Sequence, residues 1–287
     1  MSGDAVQQQK PQSLNGWVAY LGHTEIPVLK QTARDLAALR ENPERLSARG
    51  VAGVVARDPV MTVKLLRYLQ QHKHRRQEHE VMQIEQALLM MGVEAFFVKI
   101  APEPLAEDMP RGDLAALIHL LHVVRRAQRA SSYALDWAVR LRDLHFEEVR
   151  IAALLHDLAE MLMWCFAPDD MLKILSMQQQ DKSLRSQAAQ EQVLGFPLAA
   201  LQSALAREWN LPKLLLALMD SARASEQRVR NVVLAVNLAR HSANGWDDAA
   251  LPDDYQGIAE LLHIKPEEAM VMLEAEAGLL CDLGKPH

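Results

Sequence analysis

An all-α fold follows from three features of this sequence. Leu and Ala abound while aromatic residues make up only 5% of the chain, a mix that favours helices over sheets. Apolar residues recur at intervals of three and four, and no alternating run marks a strand. Proline and glycine punctuate the first hundred residues at regular intervals, as helix boundaries do. With 287 residues, 49% of them apolar, the chain can bury a sizeable core as one large domain or two small ones.

Taken in order, Pro27, Pro43 and Pro59 each read as the first turn of a short helix, where a missing N–H costs nothing. Asn42 and Asp58 stand before two of them as N-caps. Leu29, Ala33, Leu36 and Ala37 share one helical stripe; Val51, Val54 and Val55 form the next, and Val63, Leu65, Leu66 and Leu69 the one after. A polar run over 70–80 precedes a helix through Ile84, Ala87, Leu88 and Met91, which Gly92 closes. Pro102, Pro104 and Pro110 make 101–112 read as a linker. Beyond it, one long helix or two in series fill 113–144, with Ala130, Ala134, Trp137, Leu141 and Leu144 as the buried stripe. Further helices are expected over 147–165, 171–180, 198–209, 212–220, 228–241 and 266–280. The predicted organisation is an N-terminal helical lobe at 14–100, a second lobe at 113–245 and a C-terminal helical extension at 246–287.

The formal charge of −6 gives no general pull towards nucleic acid or an anionic membrane surface, so neither is an expected partner. Residues 1–13 are rich in Gln and lack the apolar core of a signal peptide. No run approaches the roughly 20 apolar residues of a membrane helix, so a cytoplasmic location is expected. Cys165 and Cys281 share no metal-ligand spacing and read as reduced core thiols. Trp17, Trp137, Trp164, Trp209 and Trp246 read as helix-packing residues, with Trp17 and Trp246 the most exposed and Trp209 covering the turn before Pro212.

Two segments carry a family pattern. The first holds Ile26-Pro27-Val28-Leu29, then Val54-Val55-Ala56-Arg57-Asp58-Pro59-Val60-Met61 and Leu65-Leu66-Arg67, and ends at Ile84-Glu85-Gln86-Ala87 and Met91-Gly92. The second holds Ala152-Ala153-Leu154-Leu155-His156-Asp157-Leu158, followed by Glu208-Trp209-Asn210-Leu211-Pro212. In order and spacing the set, spanning about residues 14–245, resembles the HDOD family, the HD-related output domains. Leu69-Gln70-Gln71 departs from that family where an Asn-Ser pair is usual. The resemblance implies a multi-helix HD-like bundle related to metal phosphohydrolases but usually without their activity, serving bacterial regulation.

The resemblance also implies where metal ligands would lie. His156 and Asp157 match the His-Asp pair, but adjacent residues on a helix diverge by roughly 100°, so they cannot close a site alone. The first His of the family falls at Arg126, a fixed cation that cannot ligate. The later Asp falls at Asn237, a weak ligand beside a carboxylate. The extra His pair of binuclear relatives falls at Met219-Asp220. His122 and His119, one and nearly two turns before Arg126, are the residues that a shifted register would bring in. The plainer reading of His156 and Asp157 is structural, an Asp in mid-helix accepting hydrogen bonds and a His filling a polar pocket. In that reading Arg126 takes the metal's position and pairs with Asp157. No cofactor is expected.

Two other clusters stand out. The tract His72-Lys73-His74-Arg75-Arg76-Gln77-Glu78-His79 has the composition of a metal- or phosphate-binding patch. Glu78 and Glu80 dilute it and no aromatic residue is interleaved for stacking, which favours a solvated loop. Asp247-Asp248 and Asp253-Asp254 lack the spacing and glycine of an EF-hand and read as turn chemistry. Three functions follow. The favoured one is a non-catalytic signal-transduction module that binds a regulatory protein. The others are an HD-type metal phosphohydrolase and a sensor that binds a nucleotide without hydrolysing it, with Arg125, Arg126, Arg129 and Asn237 as ligand or partner contacts.

Overall fold

The prolines of the first hundred residues do not all do the same work, and the difference shapes the N-terminal part. The computed structural model describes residues 10–72, 83–110, 112–243 and 245–281. Its first helices are α1 (Leu14–His23), α2 (Lys30–Arg40), α3 (Ala48–Val55), α4 (Pro59–Gln71), α5 (Ile84–Met91) and α6 (Val93–Lys99). Pro59 opens α4 as expected, and the Asp58 carboxylate caps it by accepting from the N–H groups of Val60 and Met61 at 2.9 and 3.0 Å. Pro27 and Pro43 open no helix. Ser47, not Asn42, caps α3. Pro27 sits in an extended stretch because its neighbour Val28 is bonded elsewhere: the Val28 N–H donates to Pro104 O and the Ala106 N–H to Val28 O, both at 2.8 Å.

That pairing also corrects the reading of 101–112 as a linker. Buried Lys64 donates to the carbonyls of Ile26 and Glu103 at 3.2 and 2.7 Å, and the Lys30 N–H donates to the Glu107 carboxylate. The segment is stitched to the start of α2 and to α4. Val28 and Leu105 form an isolated parallel bridge; among the described residues no strand forms. Gly92, at φ 84°, closes α5 as expected. The α4 helix runs on through Gln71, across the 69–71 departure. The basic tract beyond His72 lies outside the described residues.

The remaining helices are α7 (Leu114–Arg140), α8 (Phe146–Leu155), α9 (Leu158–Phe166), α10 (Pro168–Gln180), α11 (Ser186–Leu194), α12 (Leu198–Glu208), α13 (Lys213–Leu218), α14 (Gln227–His241), α15 (Leu251–Leu262) and α16 (Pro266–Cys281). A single helix, α7, occupies most of 113–144; Asp113 caps it, and Ala130, Ala134 and Trp137 of the expected stripe are buried, but the helix ends at Arg140, so Leu141 is only half-buried and Leu144 is 87% exposed. Small residues on that stripe allow α8, α9 and α14 to pack closely around it. The first helix does not stay with the lobe assigned to 14–100: α1 packs on α12, and Tyr20 meets Phe166 edge-on at 5.8 Å. One contiguous apolar core runs from Trp17 to Leu273.

The tryptophans are arranged differently from the sequence expectation in one case. Trp17 is 2% exposed and belongs to the core, because α12 covers α1; Trp246 is half-buried. Trp209 is buried as expected, with the Arg67 guanidinium 5.8 Å from its ring centre. Cys165 is buried and burial pushes its thiol up, which makes it an inert core residue; the Cys281 side chain lies outside the described residues. No single helix among the described residues is long and apolar enough to cross a membrane. The run Phe146–Phe166 with Pro168–Gln180 bends by 112°.

Candidate functional site

The His156-Asp157 pair does not lie in mid-helix. The helix expected over 147–165 breaks at these two residues, with α8 ending at Leu155 and α9 starting at Leu158. A break orphans backbone groups, which need partners when buried. Gln202 on α12 supplies them. Its side-chain N–H donates to Leu155 O at 2.9 Å and its oxygen accepts from the Ala159 N–H at 2.7 Å. The amide thus brackets the break and fixes the direction in which Asp157 leaves the chain.

Asp157 is 10% exposed and is met by side chains from two helices and by its neighbour His156. From α7, the Arg126 Nε and one terminal N–H donate to the same carboxylate oxygen at 3.0 and 2.8 Å. The same Arg126 nitrogen donates to Glu160 of α9 at 2.7 Å. His156 Nδ1 lies 3.0 Å from the other Asp157 oxygen; a carboxylate only accepts, so this nitrogen carries the proton. From α14, Arg240 lies 3.7 Å from that second oxygen. Burial alone would favour the neutral acid at Asp157, but the His156 hydrogen bond and the Arg126 and Arg240 charges outweigh it and hold the carboxyl well below the usual carboxylate range. Burial also works against the Arg126 charge, and the Glu160 and Asp157 carboxylates reverse it, so Arg126 holds its proton more firmly than an ordinary arginine.

The other sequence candidates fall around this cluster without joining it. Arg125 is exposed. Arg129 turns to α14 and the loop beyond, donating to the Ser242 carbonyl and hydroxyl at 3.3 and 2.9 Å and lying 5.9 Å from the Trp246 ring centre. Asn237 is half-buried and takes no part in the ion-pair cluster. His119 stacks on Trp164 with ring centres 5.1 Å apart, and His122 meets it edge-on. Burial and the neighbouring His122 push the His119 ring below its ordinary value, against the pull of Glu160. Asp254 pairs with His241 at 2.7 Å, and Asp248 closes a turn with the Ala250 N–H.

The donor set does not fit a catalytic metal. Among the described residues, no three His, Cys, Asp or Glu side chains come together as ligands. Both carboxylates nearest His156 are engaged by a guanidinium, whose charge opposes a divalent cation. Sequence reasoning missed Glu160, Arg240 and Gln202. Glu160 was within reach, since it stands one turn after Asp157 on the same helix face. Gln202 had no local signal.

Residues 26–225 match the family model of the HDOD domain. Two solved structures have a similar fold. The MmoQ response regulator of Methylococcus capsulatus strain Bath shares 16% identity at a TM-score of 0.65, covering 88% of this chain and 99% of that one. A virulence factor of Campylobacter jejuni shares 17% identity at a TM-score of 0.62, covering 90% and 92%. No curated protein matches the chain in sequence.

Proposed function

The chain belongs to the HDOD family, and from that premise we propose that it is a non-catalytic module of bacterial signal transduction that acts by binding a regulatory protein. The observation that carries this reading is Arg126, whose guanidinium joins Asp157 to Glu160 where the family relationship would put a metal ligand. A metal in that position would cross-link the same helices and also activate water. The guanidinium keeps the cross-link and supplies no nucleophile. What remains is a rigid helical scaffold suited to presenting a surface. A response regulator with a similar fold is in keeping with this reading.

The reading is tested by metal analysis of the purified protein, with phosphatase and phosphodiesterase assays in added Mn²⁺, Fe²⁺ or Ni²⁺. The expected result is sub-stoichiometric metal and no turnover. Near-unit occupancy with turnover that His156→Ala abolishes would overturn it. One observation favours a second reading, a nucleotide sensor: Arg240 is 48% exposed at the edge of the cluster and holds Asp157 only loosely. A thermal-shift screen with cyclic dinucleotides separates the two, since a ligand of the native state raises the melting temperature.

A further inference from the structure

A cavity of about 400 Å³ shares no wall residue with the Arg126 cluster, and its size is that of a small-molecule site. Its walls come from three separate parts of the chain: α1 with the residues before it, the segment that leads into α7, and the junction of α9 with α10. The α1 side, with Lys10, Trp17 and Tyr20, lies outside the 26–225 family match. That wall is not part of the shared HDOD pattern.

The chemistry of the walls is lopsided. Tyr20 and Phe166 are half-buried and stand at 82° to one another with ring centres 5.8 Å apart, which makes an aromatic corner. Trp17 meets Tyr20 edge-on from the core side. The acidic walls are Asp113 and Asp169. Asp113 uses one oxygen to cap α7, accepting from the Ala116 N–H at 2.9 Å, and Asp169 is exposed. Among the described residues no cation pairs with either carboxylate. Lys10 shows which charge the rim accepts, since its ammonium is held by Asp170 at 2.5 Å.

We propose that this cavity binds a small organic cation, a guanidinium head on a short aliphatic tail. Two carboxylates oppose an anion and favour a cation. A planar guanidinium suits these walls better than an ammonium, because its edge bonds carboxylates while its face stacks on an aromatic ring. The head takes Asp113 and Asp169, and the tail lies along the apolar walls, where a cavity of this size has room beyond a bare guanidinium. A ligand held in this way ties α1 to the start of α10. The site stands or falls independently of either reading of the Arg126 cluster.

The experiment is isothermal titration of the full chain with n-butylguanidinium, and with n-butylurea as its uncharged counterpart of the same shape. The expected result is a dissociation constant on the order of 1 mM or tighter for the cation and no binding of the urea. Asp113→Asn keeps the helix cap, for which Asn serves as well as Asp, and Asp169 is exposed, so the melting temperature of the double variant should match the parent. That variant is expected to bind the cation about tenfold or more weakly, and Tyr20→Leu several-fold more weakly. A parent that does not bind the cation overturns the proposal. So does equal binding of the urea, or an affinity that survives either the double substitution or Tyr20→Leu.

Discussion

Two buried aspartates, Asp58 and Asp157, organise the two ends of this molecule, and they do so by opposite means. Asp58 is held by uncharged donors: the N–H groups of Met61, Leu29 and Val60 and the Thr32 hydroxyl. Burial outweighs these bonds and pushes its carboxyl above the usual range. Asp157 is held by full charges as well as a hydrogen bond, and its carboxyl is driven the other way. Backbone dipoles satisfy a carboxylate without fully offsetting the cost of taking its charge out of water; at Asp157 the His156 hydrogen bond and two guanidinium charges together do. Asp58 therefore works as a folding joint, and Asp157 as an electrostatic cross-link.

The largest expected loss lies between the two regions, at Trp209, which carries the Arg67 side chain of α4 over its ring. Trp209→Ala should cost about 3–5 kcal/mol, the range for removing a buried aromatic. An unchanged urea midpoint would mean that the two ends are not joined through this ring. Next comes Asp58→Ala, which orphans the N–H groups of Leu29, Val60 and Met61 together. About 3–4 kcal/mol is expected from the lost cap and the stranded donor at the start of α2. Arg126→Ala should follow at about 3 kcal/mol, since it strands two carboxylates near the core. Combining it with Asp157→Ala should cost less than the two losses added, because the partners share one interaction. Additivity would show that Arg126 and Asp157 act separately.

The smallest effect is the sharpest comparison, because its sign differs between the two sites. Asp157, held below the ordinary value, contributes stability that is present above about pH 4 and is lost as pH falls through its folded value. Asp58, held above, keeps its proton longer in the folded than in the unfolded chain, so its contribution declines as pH rises through that window. Denaturation of the parent, Asp157→Asn and Asp58→Asn from pH 7 to pH 3 reads both. The gap between parent and Asp157→Asn should narrow on acidification by about 1 kcal/mol or more, while the gap for Asp58→Asn widens. Parallel slopes would abolish the distinction.

Much of this arrangement was legible because it is local. Asp58-Pro59 as a cap and first turn, Gly92 as a stop and the Ala130, Ala134 and Trp137 part of the α7 stripe each depend on residues within a turn or two, and the structure has all three. The ion pair of Arg126 with Asp157 was legible for another reason: the family pattern put both residues at one site, and only one of them could ligate. What failed was non-local. Pro27 looked like a helix start because nothing nearby revealed that Val28 bonds to Pro104 and Ala106. Residues 101–112 read as a linker for the same reason. The helix break at His156-Asp157 was invisible because its bonds come from Gln202, more than 40 residues away. Trp17 was placed near the surface because its cover, α12, lies far along the sequence from it.

Gln202 has a mechanical consequence. Two successive helix axes are held at a fixed angle by one amide that belongs to a third helix, and that third helix is also the seat of α1. A push on α1 has a short route inward: it bears on α12, α12 carries the bracket, and the bracket sets the bend from which Asp157 projects. Sliding α12 by the length of a hydrogen bond would unlatch both ends of the break at once and re-aim the carboxylate between its two arginines. The first helix and the charge cluster thus share one support, α12.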